Sequence, residues 1–133
     1  MFEGDVMTLI PVLAWMMILT NGTSAPQVRA DTFANDCRHA IWLEEGRETT
    51  PLETLRATQC MSYLVGFLEG HRTAMDHAEG DRLCVPPGVN AYQFARVIVQ
   101  ASDERPEIGH YPRRSLVEYA LNSKWSCADP QGS

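Results

Sequence analysis

The four cysteines of this 133-residue chain, Cys37, Cys60, Cys84 and Cys127, constrain its fold more than any other feature. Zinc sites usually supply cysteines in close pairs, whereas these four lie far apart in the sequence. An even number of cysteines in a small exported protein indicates disulfide bonds instead. We therefore expect two disulfides, with neither a metal ion nor any other cofactor.

The N-terminal residues predict export to the periplasm. Residues 9–20 form an apolar run of signal-peptide length, shorter than the roughly 20 residues of a membrane-spanning helix. Small residues allow cleavage after Ala25 or after Ala30, and Pro26 beside the first cut favours the second. We expect residues 1–30 to be a signal peptide, residues 31–128 a domain and residues 129–133 a flexible tail. The leading residues carry acids and no Lys or Arg, so an uncleaved anchor and a buried helix remain alternatives.

The charge of the chain bears on its partners. Its formal net charge is −6, from 11 basic and 17 acidic residues. An acidic surface repels a phosphate backbone, which argues against a nucleic acid partner. The same charge mildly favours a basic partner. After signal cleavage we expect no contact with a membrane.

Hydrophobic periodicity predicts an all-α fold, a compact bundle of four main helices stapled by disulfides. The predicted helices cover residues 32 to about 45, 51 to about 77, 91 to about 101 and 112 to about 125. Asp31 is expected to cap the first helix. Capping boxes are expected at the second helix, from Thr50 with Glu53, and at the third, from Asn90 with Gln93. No stretch shows a convincing strand pattern.

The second helix has the strongest apolar stripe. Its residues recur three or four apart and are predicted to face the core: Leu52, Leu55, Cys60, Leu64, Phe67, Leu68 and His71. Gly66 and Gly70 form a G-x-x-x-G pattern on the same helix. Because this segment is not a membrane span, the pattern predicts a smooth patch on which another helix packs closely.

Helix geometry favours one pairing of the cysteines. If the last two helices form an antiparallel hairpin, Cys84 before the third helix meets Cys127 after the fourth. If the first two helices are also antiparallel, Cys37 meets Cys60. We therefore predict the disulfides Cys37–Cys60 and Cys84–Cys127. The alternative is Cys60–Cys84 together with Cys37–Cys127.

No residue pattern predicts an enzyme. A thiol exported together with three others would normally be oxidised, and none of the four lies in a familiar catalytic context. His71 and His77 are six residues apart and do not share a helical face. His71 is expected to be a satisfied core or boundary histidine, and His77 to belong to a solvated helix end.

Two exposed regions are candidates for binding a partner. The link between the third and fourth helices combines charge, a proline and an aromatic residue, a composition suited to recognition on a rigid scaffold. Its candidate residues are Glu104, Arg105, Glu107, His110 and Tyr111. A second acidic patch is predicted from Asp76, Glu79 and Asp81.

The order of several motifs is similar to that of a known family. Cys60, Tyr63 and Gly66 precede the stretch Cys84, Val85 and Pro86. An amphipathic helix with Gln93 near its start comes next, and the step from Pro106 to Glu107 leads into a last helix with Ala120 and Leu121, followed by Cys127. Over residues 37–127 the chain resembles the Tai-like immunity proteins of type VI secretion amidase effectors.

The resemblance implies a small, helical, disulfide-bonded periplasmic protein without enzymatic activity. Its partner would be a cognate peptidoglycan amidase delivered by neighbouring cells. Inhibition would be steric, by a loop that fills the catalytic groove of the amidase. A homodimer is left open. The alternative function is a periplasmic structural or chaperone-like module with several weak clients and no toxin partner.

Overall fold

The computed structural model describes residues 25–75 and 83–127. These residues form four α-helices: α1 (Ala30–Glu44), α2 (Pro51–Met75), α3 (Ala91–Glu104) and α4 (Arg113–Trp125). A 3-10 helix, Pro106–His110, lies between α3 and α4. The predicted all-α fold is confirmed. No helix within the described ranges has both the length and the apolar character needed to cross a bilayer.

Helix α1 begins earlier than predicted. Its first residue is Ala30, which is fully buried, and the preceding Arg29 has extended backbone and no side-chain capping bond. The prediction that Asp31 caps this helix is therefore wrong. Asp31 lies in the first turn, where its carboxylate accepts hydrogen bonds from the Thr32 amide at 2.6 Å and from the Arg29 guanidinium at 2.6 Å. The helix ends before Gly46, whose φ of +74° is easy only for glycine.

The two predicted capping boxes are confirmed. The Thr50 amide donates to the Glu53 carboxylate at 2.7 Å, and the Glu53 amide donates back to the Thr50 hydroxyl at 3.3 Å. The bond from the Thr50 amide lowers the pKa of Glu53. Asn90 and Gln93 make the equivalent pair at 2.7 and 3.0 Å. These reciprocal bonds satisfy amides that a helix start leaves unpaired.

Helix α1 lies at the centre of the bundle. It packs mainly on α2 and α3, while α4 packs mainly on α3. The rings of Phe94 and Trp125 meet edge to face, with centroids 4.8 Å apart, and join α3 to the end of α4. The largest fully buried side chains come from all four helices: Phe33, Phe94, Leu64, Ile98, Leu116, Leu121, Val117, Cys37 and Cys60.

The predicted apolar stripe of α2 is wrong in its first two turns. Leu52 and Leu55 are 58% and 54% exposed, while Cys60 and Leu64 are fully buried. At 3.6 residues per turn, Leu52 and Leu55 lie about 80° and about 140° round the helix from Cys60. Although these residues recur three or four apart, the first two therefore lie outside the face of α2 that packs on α1.

The predicted close packing on Gly66 and Gly70 is also wrong for the described residues. Both glycines are exposed, and a Cβ placed at either would have nothing within 4 Å. They lie on the same outer side of α2 as Leu55.

Both predicted disulfides are confirmed. Cys37–Cys60 joins the middle of α1 to α2, with a Cα–Cα distance of 5.1 Å. Cys84–Cys127 joins the segment before α3 to the segment just after α4, with a Cα–Cα distance of 4.8 Å. Beside it, the Cys84 amide donates to the Trp125 carbonyl oxygen at 2.7 Å. The alternative pairing is excluded.

Candidate functional site

The predicted binding link folds into a compact turn, named here the 104–111 loop. Its centre is the 3-10 helix Pro106–His110, which proline can begin because its backbone φ is already helical. The Ile108 amide bonds to the Arg105 carbonyl oxygen at 3.0 Å, and the Tyr111 amide to the Ile108 carbonyl oxygen at 2.9 Å. The sequence predicted a charged binding link here, but no helical turn within it. The turn gives the loop a defined shape.

All five predicted binding residues are exposed: Glu104, which is the last residue of α3, and Arg105, Glu107, His110 and Tyr111, which follow it. The Arg105 guanidinium lies 3.3 Å from the Glu107 carboxylate and 5.2 Å from the centroid of the Tyr119 ring. Tyr111 is 59% exposed, the most exposed large apolar residue of the described chain. The loop thus combines a charge pair with an exposed ring, and such groups supply much of the energy of protein interfaces.

The N-terminus of α1 holds this loop in place. The Ala30 amide donates to the Tyr111 carbonyl oxygen at 2.8 Å. Arg29 Nη2 lies 3.1 Å from His110 Nδ1. Since a guanidinium can only donate, Nδ1 accepts and the ring proton lies on Nε2. The sequence analysis missed the role of Arg29 because it assigned that residue to the leader.

Gly109 brings the loop close to α1. It is buried, and a Cβ at this position would lie 3.2 Å from the Asp31 Cβ. A side chain here would therefore push the loop and the helix apart. The half-buried Ile108 packs against the core from the same turn. The loop consequently has an anchored inner side and a charged outer side.

The second predicted patch, Asp76, Glu79 and Asp81, lies outside the described residues, as does His77. His71 lies at the boundary of the bundle, half-buried and stacked on Phe67 with ring centroids 6.1 Å apart. Its Nε2 is buried without a hydrogen-bond partner among the described residues. The predicted boundary position of His71 is confirmed. The prediction that its ring is fully hydrogen-bonded is wrong for the described residues.

A second concave region lies between α1, α2 and the start of α4. This cleft has a volume of about 460 Å³ and is lined by Val28, Phe33, Asp36, Thr58, Gln59, Ser62, Tyr63 and Arg113. The Arg113 guanidinium lies 4.0 Å from the centroid of the Tyr63 ring, in a cation–π arrangement. The sequence analysis did not single out this cleft, because its residues are scattered over three segments.

Asp36 is the unusual group of this cleft. It is 7% exposed, and its nearest cationic atom is Arg56 Nη1 at 3.9 Å. Burial raises the pKa of Asp36, and the charges of Arg56, His39 and Arg113 offset that effect only in part. A carboxyl group whose pKa differs between the folded and the unfolded state makes the free energy of unfolding depend on pH.

The chemistry open to the described residues is limited. All four cysteines are in disulfides, so none offers a thiolate for nucleophilic attack or metal ligation. Among the described residues no group of three or more His, Cys, Asp or Glu side chains could hold a metal ion. The predicted partner-binding residues of the 104–111 loop stay a prediction, which the geometry of the loop allows.

A family model for Rap1a immunity proteins matches residues 29–127. The chain belongs to this family. Rap1a immunity proteins are a type VI secretion immunity family, so the predicted link to type VI immunity is confirmed at this level. No curated protein and no solved structure matches the chain significantly. The family match starts at Arg29 and ends at Cys127, and so includes both disulfides and the whole 104–111 loop.

Proposed function

We propose that this Rap1a immunity protein acts in the periplasm by binding a peptidoglycan amidase effector delivered by type VI secretion. The 104–111 loop fills the catalytic groove of the amidase and excludes its substrate. The observation that carries this proposal is the loop itself, which is exposed yet fixed to α1 through the Ala30–Tyr111 bond. The protein needs no chemistry of its own to act in this way.

Preorganisation supports a loop-based inhibitor. A flexible loop loses conformational freedom on binding, and that loss weakens affinity. The 3-10 turn and the hydrogen bond from the Ala30 amide to the Tyr111 carbonyl oxygen hold the loop in one shape before the partner arrives. Arg105 and Tyr111 are residue types enriched in interface hot spots. The chain stays acidic after loss of the leader with Glu3 and Asp5, and this negative charge would speed association with a basic surface around the groove.

The disulfides support the proposed compartment. Disulfides persist in oxidising compartments such as the bacterial periplasm and are rare in the cytosol. Both bonds of this protein join separate parts of the fold and close loops of 23 and 43 residues. The predicted signal peptide would bring the chain to the compartment in which these bonds form and in which peptidoglycan is cut.

The test uses the oxidised protein and the purified peptidoglycan amidase encoded beside its gene. We expect tight binding in calorimetry and loss of peptidoglycan hydrolysis at an equimolar ratio. Glu107→Ala should weaken both, because this carboxylate lies on the outer side of the loop. Glu48→Ala is the matched control, since it removes an exposed carboxylate beyond the far end of α1, about 20 Å away. No complex and undiminished hydrolysis would refute the proposal.

One observation favours the alternative function, a structural or chaperone-like module. Leu52 and Leu55 are exposed on the outer side of α2, the side on which Gly66 and Gly70 lie further along the helix. An apolar surface of this kind can hold weak clients or a second copy of the chain. Pull-down from the periplasm separates the functions: one stoichiometric partner supports the inhibitor, and several weak partners support the module. Light scattering of the purified protein tests the homodimer.

A further inference from the structure

We infer that signal cleavage occurs before Val28, so that residues 28–30 stay on the mature chain and support the 104–111 loop. The inference rests on the proposed export. It departs from the cut after Ala30, which the sequence favoured because Pro26 adjoins the cut after Ala25. Cleavage hydrolyses one peptide bond: a water molecule is consumed, the leader ends in a carboxylate, and the mature chain begins with an amine.

Residues 28–30 cap two helices at once. Helix starts leave amides without intrahelical partners. The Ala30 amide at the start of α1 donates to the Tyr111 carbonyl oxygen at 2.8 Å. The Arg113 amide at the start of α4 donates to the Val28 carbonyl oxygen at 2.9 Å. Between these bonds, Arg29 and Pro112 pair as an isolated antiparallel bridge.

A cut after Ala30 would remove this arrangement. It would take away the Val28 carbonyl, the Arg29 side chain beside His110, and Ala30, which is fully buried. It would also remove the Arg29 carbonyl, which accepts from the Phe33 amide at 3.0 Å as the first hydrogen bond of α1. The loop would then lose its hydrogen bonds to α1.

The new terminus would also be electrostatically unfavourable. Cleavage after Ala30 would place the α-amino group of Asp31 in the first turn of α1. An α-amino group titrates at about pH 7.7–8.0, so it is largely charged at neutral pH. Positive charge is unfavourable at a helix N-terminus, where the macrodipole is itself positive.

Earlier cuts avoid these losses. Cleavage after Ala25 has Thr23 at the −3 position, and cleavage after Ser24 has Gly22 there. The second cut leaves Ala25 ahead of Pro26, so that proline does not adjoin the cut. Residues 25–27 are exposed, so a terminus among them leaves the packed segment intact. The match to the Rap1a family begins at Arg29, inside the part that these cuts retain.

The first test is the intact mass and N-terminal sequence of the protein isolated from the periplasm. We expect a mature chain that begins at Ala25 or Pro26. A chain that begins at Asp31 would overturn the inference, as would an uncleaved chain. Neither result would decide the proposed inhibition, which the amidase assay measures separately.

The second test compares two oxidised chains, one starting at Ala25 and one at Asp31, each exported behind the same efficient signal. Amide hydrogen exchange at Arg113 should be about tenfold faster in the shorter chain, because its amide has lost the Val28 carbonyl. The Cys84 amide is the internal control, since its bond to Trp125 lies at the other end of α4. Equal exchange at Arg113 and equal melting temperatures in the two chains would overturn the inference.

Discussion

Cys37 and Cys60 are joined by a disulfide that lies wholly inside the bundle, with neither residue exposed to solvent. The Cys84–Cys127 disulfide is more open, because Cys84 is exposed and Cys127 is half-buried. Thiol–disulfide exchange requires a thiolate to reach one of the two sulfurs. The two bonds should therefore differ in their susceptibility to reduction of the native protein.

We predict that mild dithiothreitol reduces Cys84–Cys127 first. Trapping with N-ethylmaleimide and peptide mass spectrometry should find label on Cys84 and Cys127 well before it appears on Cys37 and Cys60. The 43-residue loop closed by this bond implies a loss of about 4 kcal/mol in the free energy of unfolding, by the chain-entropy model. Simultaneous labelling of all four cysteines would contradict the prediction.

The second prediction compares a buried leucine of α2 with an exposed one. Leu64→Ala should lower the free energy of unfolding by about 2–5 kcal/mol, because it leaves a cavity in the core. Leu55→Ala removes the same atoms from an exposed position and should change it by no more than about 0.5 kcal/mol. Urea unfolding of the two oxidised variants measures both values. A large loss from the Leu55 variant would show that the sequence-based stripe was right.

Asp36 makes the stability depend on pH. Burial raises the pKa of Asp36, so the folded state binds the proton more tightly than the unfolded state. The free energy of unfolding contributed by this group therefore rises as the pH falls from neutral through the raised pKa, towards the ordinary value of about 3.9. Asp36→Asn lacks this contribution.

The comparison that isolates Asp36 is wild type against Asp36→Asn at pH 7 and at pH 4, close to the ordinary pKa of about 3.9. The difference in unfolding free energy should shift in favour of wild type at the lower pH. Titrating groups that do not interact with Asp36 contribute equally to both proteins and cancel. A difference that is constant, or that shifts in favour of the variant, would contradict the raised pKa.

The exposed ring of the 104–111 loop gives a prediction about binding. Tyr111→Ala should weaken binding to the amidase by about 2 kcal/mol, or roughly thirtyfold, as expected of an aromatic hot spot. Its melting temperature should be unchanged, because the ring is exposed and the bond to Ala30 uses only the Tyr111 backbone. Unchanged affinity in calorimetry would place the interface elsewhere.

Local signals were the most predictable from sequence. The pairs Thr50 with Glu53 and Asn90 with Gln93 act within one helical turn, so the residue types alone were enough. The disulfide pairing followed from a single assumption, that neighbouring helices are antiparallel. It required no knowledge of side-chain packing.

Features that depend on tertiary contacts were missed. An apolar residue can lie outside, so nothing in the sequence showed that Leu55 points away from α1. The sequence did not single out Asp36, because the cations that face it, Arg56 and Arg113, come from other segments of the chain. Arg29 was assigned to the leader because a cleavage site is predicted from local residue types. The hydrogen bonds that tie residues 28–30 to the fold are formed with residues far away in the sequence.

The most direct test of the account is rescue. Cells that export the adjacent amidase to their periplasm should lyse, and co-expression of this protein with its signal peptide should restore their growth. The same chain without residues 1–24 should fail to do so, because it stays in the cytosol. Lysis that continues despite oxidised protein in the periplasm would contradict the central claim that this protein neutralises a peptidoglycan amidase.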